Sequence, residues 1–207
     1  MTVPTGRRAR KKAATRQKIA DAALRLFLER GYEEVGIREV AAEADVAVTT
    51  LFAHFPAKEA LVFERDQDFE RGLVGAVTER APHEPLVAAL RREVLARVRH
   101  CAAEGAAPVR RLIEESPALR RHEESMLLRH ADALAAALAA DLGLPRATTV
   151  CRTLARFVVD AHTLAREADD PEAAVDEIFP MIEAAWAVAF PGAGPPGAAD
   201  QSAAQLS

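Results

Sequence analysis

A chain of 207 residues and 22.3 kDa with half its residues apolar can build one medium domain, or a small domain joined to a larger one. Its formal net charge of −4 excludes a uniformly basic nucleic-acid coat. The lack of any apolar run approaching the ~18 residues a helical span needs excludes that route through a membrane. The basic start has no apolar stretch behind it and so does not read as a secretory signal; a cytoplasmic protein is expected.

Charge is unevenly placed. Residues 1–20 hold seven of the 27 basic residues and no acid, and the other 20 bases are outnumbered by 31 acids. A basic arm is thus expected over residues 1–13: Arg7, Arg8, Arg10, Lys11 and Lys12. It is either a solvated tail or an electrostatic footprint for nucleic acid. Cys101 and Cys151 are far apart and have no CxxC or His/Cys cluster beside them. They read as structural thiols, and neither a metal nor a cofactor is expected.

Aromatics make up 5% of the chain, and Ala and Leu are abundant, a composition that favours helix. A first helix is expected from Thr15, a cap residue type, with Ile19, Ala22, Ala23, Leu26 and Phe27 in register, stopping at Gly31. Ile37, Val40, Ala41 and Ala44 suggest a short second helix. After a break at Asp45 a third runs over about 48–55, ended by Pro56. A fourth is expected from Lys58 to about Arg80, and a fifth from Leu86 to about Glu104. A short sixth lies around 109–115, and a seventh follows Pro117 to Leu142. Two final helices carry apolar stripes, one through Val150, Leu154, Phe157, Val158, Ala161 and Leu164, the other through Val175, Ile178, Phe179, Ile182, Trp186 and Ala189. The fold class is all-α with about nine helices. The segment 191–207, rich in Pro, Gly and Ala, is expected to be a flexible tail.

Two short helices joined by a tight turn are a helix-turn-helix candidate. In "IREVAAEADVAVTTLFAHF" the side chains of Ile37, Val40, Ala41, Val46, Leu51 and Phe55 can close a small core with the first helix. Asp45 sits where a turn often requires positive φ, which Asp tolerates. Val48, Thr49, Thr50, Phe52 and His54 are left nearer the outside, and the opening residues of such a second helix point into a DNA major groove. Threonine offers a hydroxyl to phosphates or base edges and a methyl to thymine. Phe52 either packs in the core or lays its ring against a sugar or a thymine methyl. Lys58, at the expected start of the fourth helix, is read as a phosphate clamp. Arg38 is placed to reach a phosphate or base edge, and His54 a phosphate. The arm follows the backbone, enters a minor groove, or attracts DNA nonspecifically.

The stretch from about Thr15 to Leu61 resembles the tetracycline-repressor (TetR) family of bacterial transcription regulators. The likeness lies in "AALRLFLERGYEEVGIREVAAEADV" and in "TLFAHFPAKEAL", similar to the family run T-L-Y-x-[YH]-F-x-x-K-x-x-L. Departures are Gly36, Asp45, Ala47, Phe52 and Ala57, where the family commonly has Thr, Gly, Ser or Thr, Tyr, and Ser. Each missing side-chain cap typically costs ~1 kcal/mol or less.

The resemblance implies a helix-turn-helix domain over 14–57 and a helical ligand-binding and dimerisation domain over 58–190. It also implies a homodimer through the last two helices, a palindromic double-stranded operator, and an effector cavity in which His130 or Asp160 would orient a small molecule. The expected function is a dimeric, ligand-responsive repressor. The alternative is a helical adaptor with nonspecific DNA affinity through its arm. For an enzyme there is no HExxH, no GxSxG and no phosphate-binding glycine loop.

Overall fold

The computed structural model describes residues 6–64, 66–102 and 106–191. Among these, nine α-helices and one 3-10 turn account for the regular structure: α1 (Arg7–Arg30), α2 (Ile37–Glu43), α3 (Val48–His54), the turn Glu59–Leu61, α4 (Asp66–Thr78), α5 (Leu86–Ala102), α6 (Ala106–Glu115), α7 (Pro117–Asp141), α8 (Thr149–Glu167) and α9 (Pro171–Ala189). They fall into two compact units. One holds the described residues up to Asp66 together with 106–124, the other 67–102 and 125–191.

The first unit is built on α1. This helix begins at Arg7, well before Thr15, with the Gly6 carbonyl accepting from the Ala9 and Arg10 N–H groups at 2.9 and 3.2 Å. Arg, Lys and Ala are strong helix formers, and an exposed helical start carries no apolar period to reveal it. Thr15 is therefore no cap: its hydroxyl donates back to the Lys11 carbonyl at 3.0 Å. The arm expected over 1–13 is helical from residue 7, and residues 1–5 lie outside the described part. Gly31, at φ +89°, ends α1 by donating its N–H to the Phe27 carbonyl. Ile19, Ala22, Ala23 and Phe27 form its buried face.

Helix α2 lacks a side-chain cap because Gly36 has no oxygen to offer. The reverse half of a capping box is present, with the Gly36 N–H donating to Glu39 Oε2 at 2.7 Å. Its end is a left-handed turn at Asp45, φ +48°. The Val46 N–H reaches back to the Ala41 carbonyl at 2.9 Å and the Asp45 N–H to that of Ala42 at 3.0 Å, the bond pair of a Schellman motif. This turn reverses the chain so that Val40 and Ala41 of α2 and Leu51 of α3, all buried, meet Phe27 in one cluster. Leu112 and Ile113 of α6 and Leu119 of α7 complete it. Ser116 caps α7 through its hydroxyl, which accepts from the Leu119 N–H at 3.4 Å and donates to Glu33 at 2.8 Å. Residues 106–124, which lie beyond the boundary expected at residue 58, place their buried apolar side chains in the first core.

The fourth helix starts at Asp66, not Lys58. Leu61 is buried in the first cluster with Val62 and Phe63 packed against it, whereas Phe69 belongs to the second. The chain changes cores between them, and one helical face cannot serve both.

The second unit buries Phe69, Leu73, Leu90, Val94, Leu134, Leu138, Leu154, Val158, Val175, Phe179 and Trp186 in one core. Thr148 caps α8 by accepting from the Cys151 N–H at 3.2 Å, and Asp170 caps α9 by accepting from that of Ala173 at 3.0 Å. The stripe expected on α9 packs into this core throughout, while that on α8 divides. Leu154, Val158 and Ala161 point inward, while Val150, Phe157 and Leu164 are exposed, because apolar positions on α8 cover more arc than one core needs. Cys151 is buried and Cys101 half-buried. His162 is 4% exposed. Burial, and then the cations Arg166 and Arg97, hold its pKa down at about 3.

Two predictions follow from this packing. Asp45→Gly removes left-handed strain and is expected to hold or raise stability, whereas Asp45→Val lowers it by ~1–2 kcal/mol; urea unfolding measures both. His162 binds its proton less readily folded than unfolded. Its contribution to stability is therefore complete above the ordinary histidine pKa of 6.5 and is lost as pH falls toward 3, at up to ~1.4 kcal/mol per pH unit. In His162→Asn the acid limb of the stability–pH curve is expected to flatten relative to wild type; parallel curves would count against this assignment.

Candidate nucleic-acid interface

The seven residues of α3 are too few to be stable alone, and Ala47 supplies no side-chain cap. Packing holds the helix. Leu51 and Phe55 are completely buried, and Arg16 on α1 fastens the C-terminal end. Its guanidinium lies 4.1 Å from the centroid of the Phe55 ring, donates to the His54 carbonyl at 2.5 Å, and pairs with Glu64 at 3.3 Å. Sequence reasoning counted Arg16 only as part of the basic cluster. Its helical spacing with Ile19, Ala20 and Ala23, on the face α1 turns to the core, was the available signal.

With Leu51 and Phe55 committed, helical geometry turns Thr49, Phe52 and Ala53 outward. All three are exposed, Phe52 at 49%, and Thr50 is half-buried beside them. Phe52 is therefore outside the core. Val48, expected on the outer face, instead packs partly against the first cluster, because it lies within one turn of Leu51 on the same side. His54 is half-buried, its Nδ1 inaccessible and without a hydrogen-bond partner among the described residues. Burial, followed by Lys12 and Arg16 nearby, lowers its pKa. Burial thus disfavours the charged form of the imidazole.

Lys58 departs further from expectation. It precedes the 3-10 turn rather than α4, and its ammonium donates to the Tyr32 carbonyl at 2.5 Å while lying 4.0 Å from the Tyr32 ring centroid. Desolvation there lowers its pKa. A long aliphatic stem lets the charge fold back onto an aromatic face. Arg38 is exposed on the first turn of α2. Beside it, Glu39 is held below the usual carboxylate range by the Gly36 N–H and then by Arg30, which donates to it at 2.8 Å.

Arg7, Arg8, Arg10, Lys11 and Lys12 are all exposed along the first turns of α1. The influence of Lys12 on His54 places the end of this basic run near the end of α3. The structure thus gathers Thr49, Thr50, Phe52 and the cations of α1 in one unit, whereas Lys58 faces inward.

Neither ligand candidate meets its expectation simply. Asp160 is exposed on α8, since inward Val158, Val159 and Ala161 leave position 160 on the outer arc. His130 is 2% exposed, its ring edge-on to Phe69 and its Nε2 3.9 Å from Glu70. Among the described residues, no helix is long and apolar enough to cross a membrane.

Known proteins agree with this construction. Residues 19–64 match the family model described as "Bacterial regulatory proteins, tetR family". The HTH-type transcriptional regulator TcmR of Streptomyces glaucescens is 30% identical over 203 residues, covering 87% of this chain and 90% of TcmR. The HTH-type transcriptional repressor KstR of Mycolicibacterium smegmatis is 46% identical over 67 residues, 32% of each chain. The crystal structure of Thermus thermophilus FadR, a transcriptional repressor in complex with lauroyl-CoA, superposes with a TM-score of 0.54 at 23% identity, over 81% of this chain and 93% of FadR. At that identity the superposition speaks for the fold. Likeness along nearly the whole of TcmR, together with the exposed α3 on its fixed support, makes this chain a DNA-binding transcriptional regulator of the TetR family.

Proposed function

We propose that the chain acts as a homodimeric repressor that reads a twofold-symmetric operator with α3 and leaves it when a small molecule occupies the second unit. The carrying observation is the outward set Thr49, Phe52 and Ala53, with Thr50 at its edge, on a helix fixed by Leu51 and Phe55. The threonines would meet base edges or phosphates, and Phe52 a sugar or thymine methyl. Arg38 and the α1 cations would follow the backbone.

Support for a dimer lies on the outer faces of α8 and α9. Val150, Phe157 and Leu164 of α8 are 43, 47 and 56% exposed, and Met181 and Val188 of α9 are 71 and 84% exposed. Each such side chain gains roughly 1.5–3 kcal/mol on full burial. Against a second copy, the two helices would form a four-helix bundle with an isologous interface, presenting two α3 helices about 34–36 Å apart. Repression and effector release draw support from KstR and FadR, both named repressors, the latter bound to lauroyl-CoA. An effector that favours a spacing unsuited to the operator would act by population shift.

Band-shift titration on DNA upstream of the gene is the test. Salt-sensitive, sequence-selective binding is expected. Thr49→Ala combined with Thr50→Ala should weaken it by about tenfold or more while leaving the fold intact by circular dichroism. Deletion of residues 1–12 should lower the salt slope by about 0.9 per lost phosphate contact yet keep sequence preference. Loss of all binding on that deletion, with no preference beforehand, would favour the adaptor reading. Separately, Val188→Glu with Met181→Glu is expected to convert a dimer to a monomer in sedimentation velocity, and an unchanged species would remove α8 and α9 from the interface.

A further inference from the structure

Three helices of the second unit bring polar side chains to one aromatic ring on a fourth. Phe69 of α4 is buried. The His162 imidazole of α8 tilts against it with centroids 4.5 Å apart, the His130 ring of α7 meets it at 5.8 Å, and the Arg97 guanidinium of α5 lies 5.7 Å from its centroid. Both ring nitrogens of His162 and the Nε of Arg97 are buried without a hydrogen-bond partner among the described residues. Buried polar atoms are almost always paired. Three orphans around one ring, on two different helices, call for a polar group from outside the chain.

The sign of that group follows from the neighbours. The cations that bear on His162 are Arg166 and then Arg97. Of the nearby acids, Glu70 of α4 lies 3.9 Å from His130 Nε2. Glu93 of α5 is pushed by burial toward its neutral form, against the pull of Arg92 and Arg97, and packs on the Cα of Gly72. The two guanidiniums that bear on His162 itself favour an anion there. A guanidinium edge, Nε–H with a terminal N–H, matches the two oxygens of a carboxylate. A neutral imidazole adds one N–H donor, and Phe69 supplies an apolar wall.

We infer that the effector of this regulator is an organic acid, its carboxylate taken by Arg97 and His162 and its apolar body laid against Phe69. This rests on the reading above that the second unit receives an effector.

The test is thermal unfolding of the full chain, followed by the fluorescence of Trp186, which is 7% exposed. The probes are 2-naphthoate and octanoate, each beside its methyl ester. At least one acid is expected to raise the midpoint in a dose-dependent way, with its ester inert. Arg97→Met should weaken that acid by about tenfold or more. Arg97→Lys, which keeps the charge but loses the planar fork, should fall between. Asp160→Asn, on the exposed arc of α8, should change nothing. An ester as effective as its acid, an acid indifferent to both Arg97 variants, or no shift with either acid would overturn the inference. A band shift with the same acids separates this result from the broader proposal. An acid that binds through Arg97 yet leaves the operator complex intact keeps the site and removes its effector role. Release of DNA by an ester irrespective of Arg97 keeps the effector role and removes this site.

Discussion

A seven-residue helix has no stability of its own, so everything α3 can do depends on how other residues hold it. Leu51 and Phe55 are fully buried, and truncation of such side chains typically costs ~2–5 kcal/mol. Arg16 adds a directional constraint that apolar packing lacks, since one guanidinium lies against the Phe55 ring, the His54 carbonyl and the Glu64 carboxylate. The left-handed turn at Asp45 fixes the approach from the other end. Because these contacts occupy one side of the helix, its other side is determined: Thr49, Phe52 and Ala53 face solvent together. Reading DNA needs side chains presented at defined angles on a rigid support, and this arrangement supplies them.

Most of the architecture could be read from the sequence, because apolar residues at helical spacing and breaks at Gly and Pro mark helices that bury a face. The turn at Asp45 was legible for a related reason, since few residues tolerate its geometry. Helical starts on exposed surface were not, which is why α1 gained the stretch from Arg7. Inward and outward apolar residues on α8 could not be told apart either. Leu154 and Phe157 look alike to a periodicity argument, and only the shape of the core separates them. Long polar side chains were the hardest. Lys58 carries its charge on a stem that folds back to Tyr32, and Arg16, counted only among the basic residues, turns inward. The chain position of a lysine or arginine does not fix where its charge lies.

The two units place their polar groups differently. In the first, the cations from Arg7 to Lys12 are exposed, whereas Arg16 and Lys58 fold back against Phe55 and Tyr32. In the second, α8 and α9 carry exposed apolar side chains among exposed charges, while His130 and His162 lie inside. A regulator has to trade stability for responsiveness somewhere. Among the described residues, nitrogens of His162 and Arg97 lack hydrogen-bond partners, which weakens the core around Phe69. A ligand that satisfies them would favour the packing that accommodates it, which is the differential affinity a conformational switch requires.

The most direct test of the central claim is photocrosslinking from α3 itself. With p-benzoylphenylalanine at Phe52, on the free side of the helix, the protein is expected to crosslink to its operator. The same group at Leu128, an exposed position on α7, is expected to give none. Crosslinking from position 128 but not from 52 would contradict the assignment of α3 as the DNA-reading element.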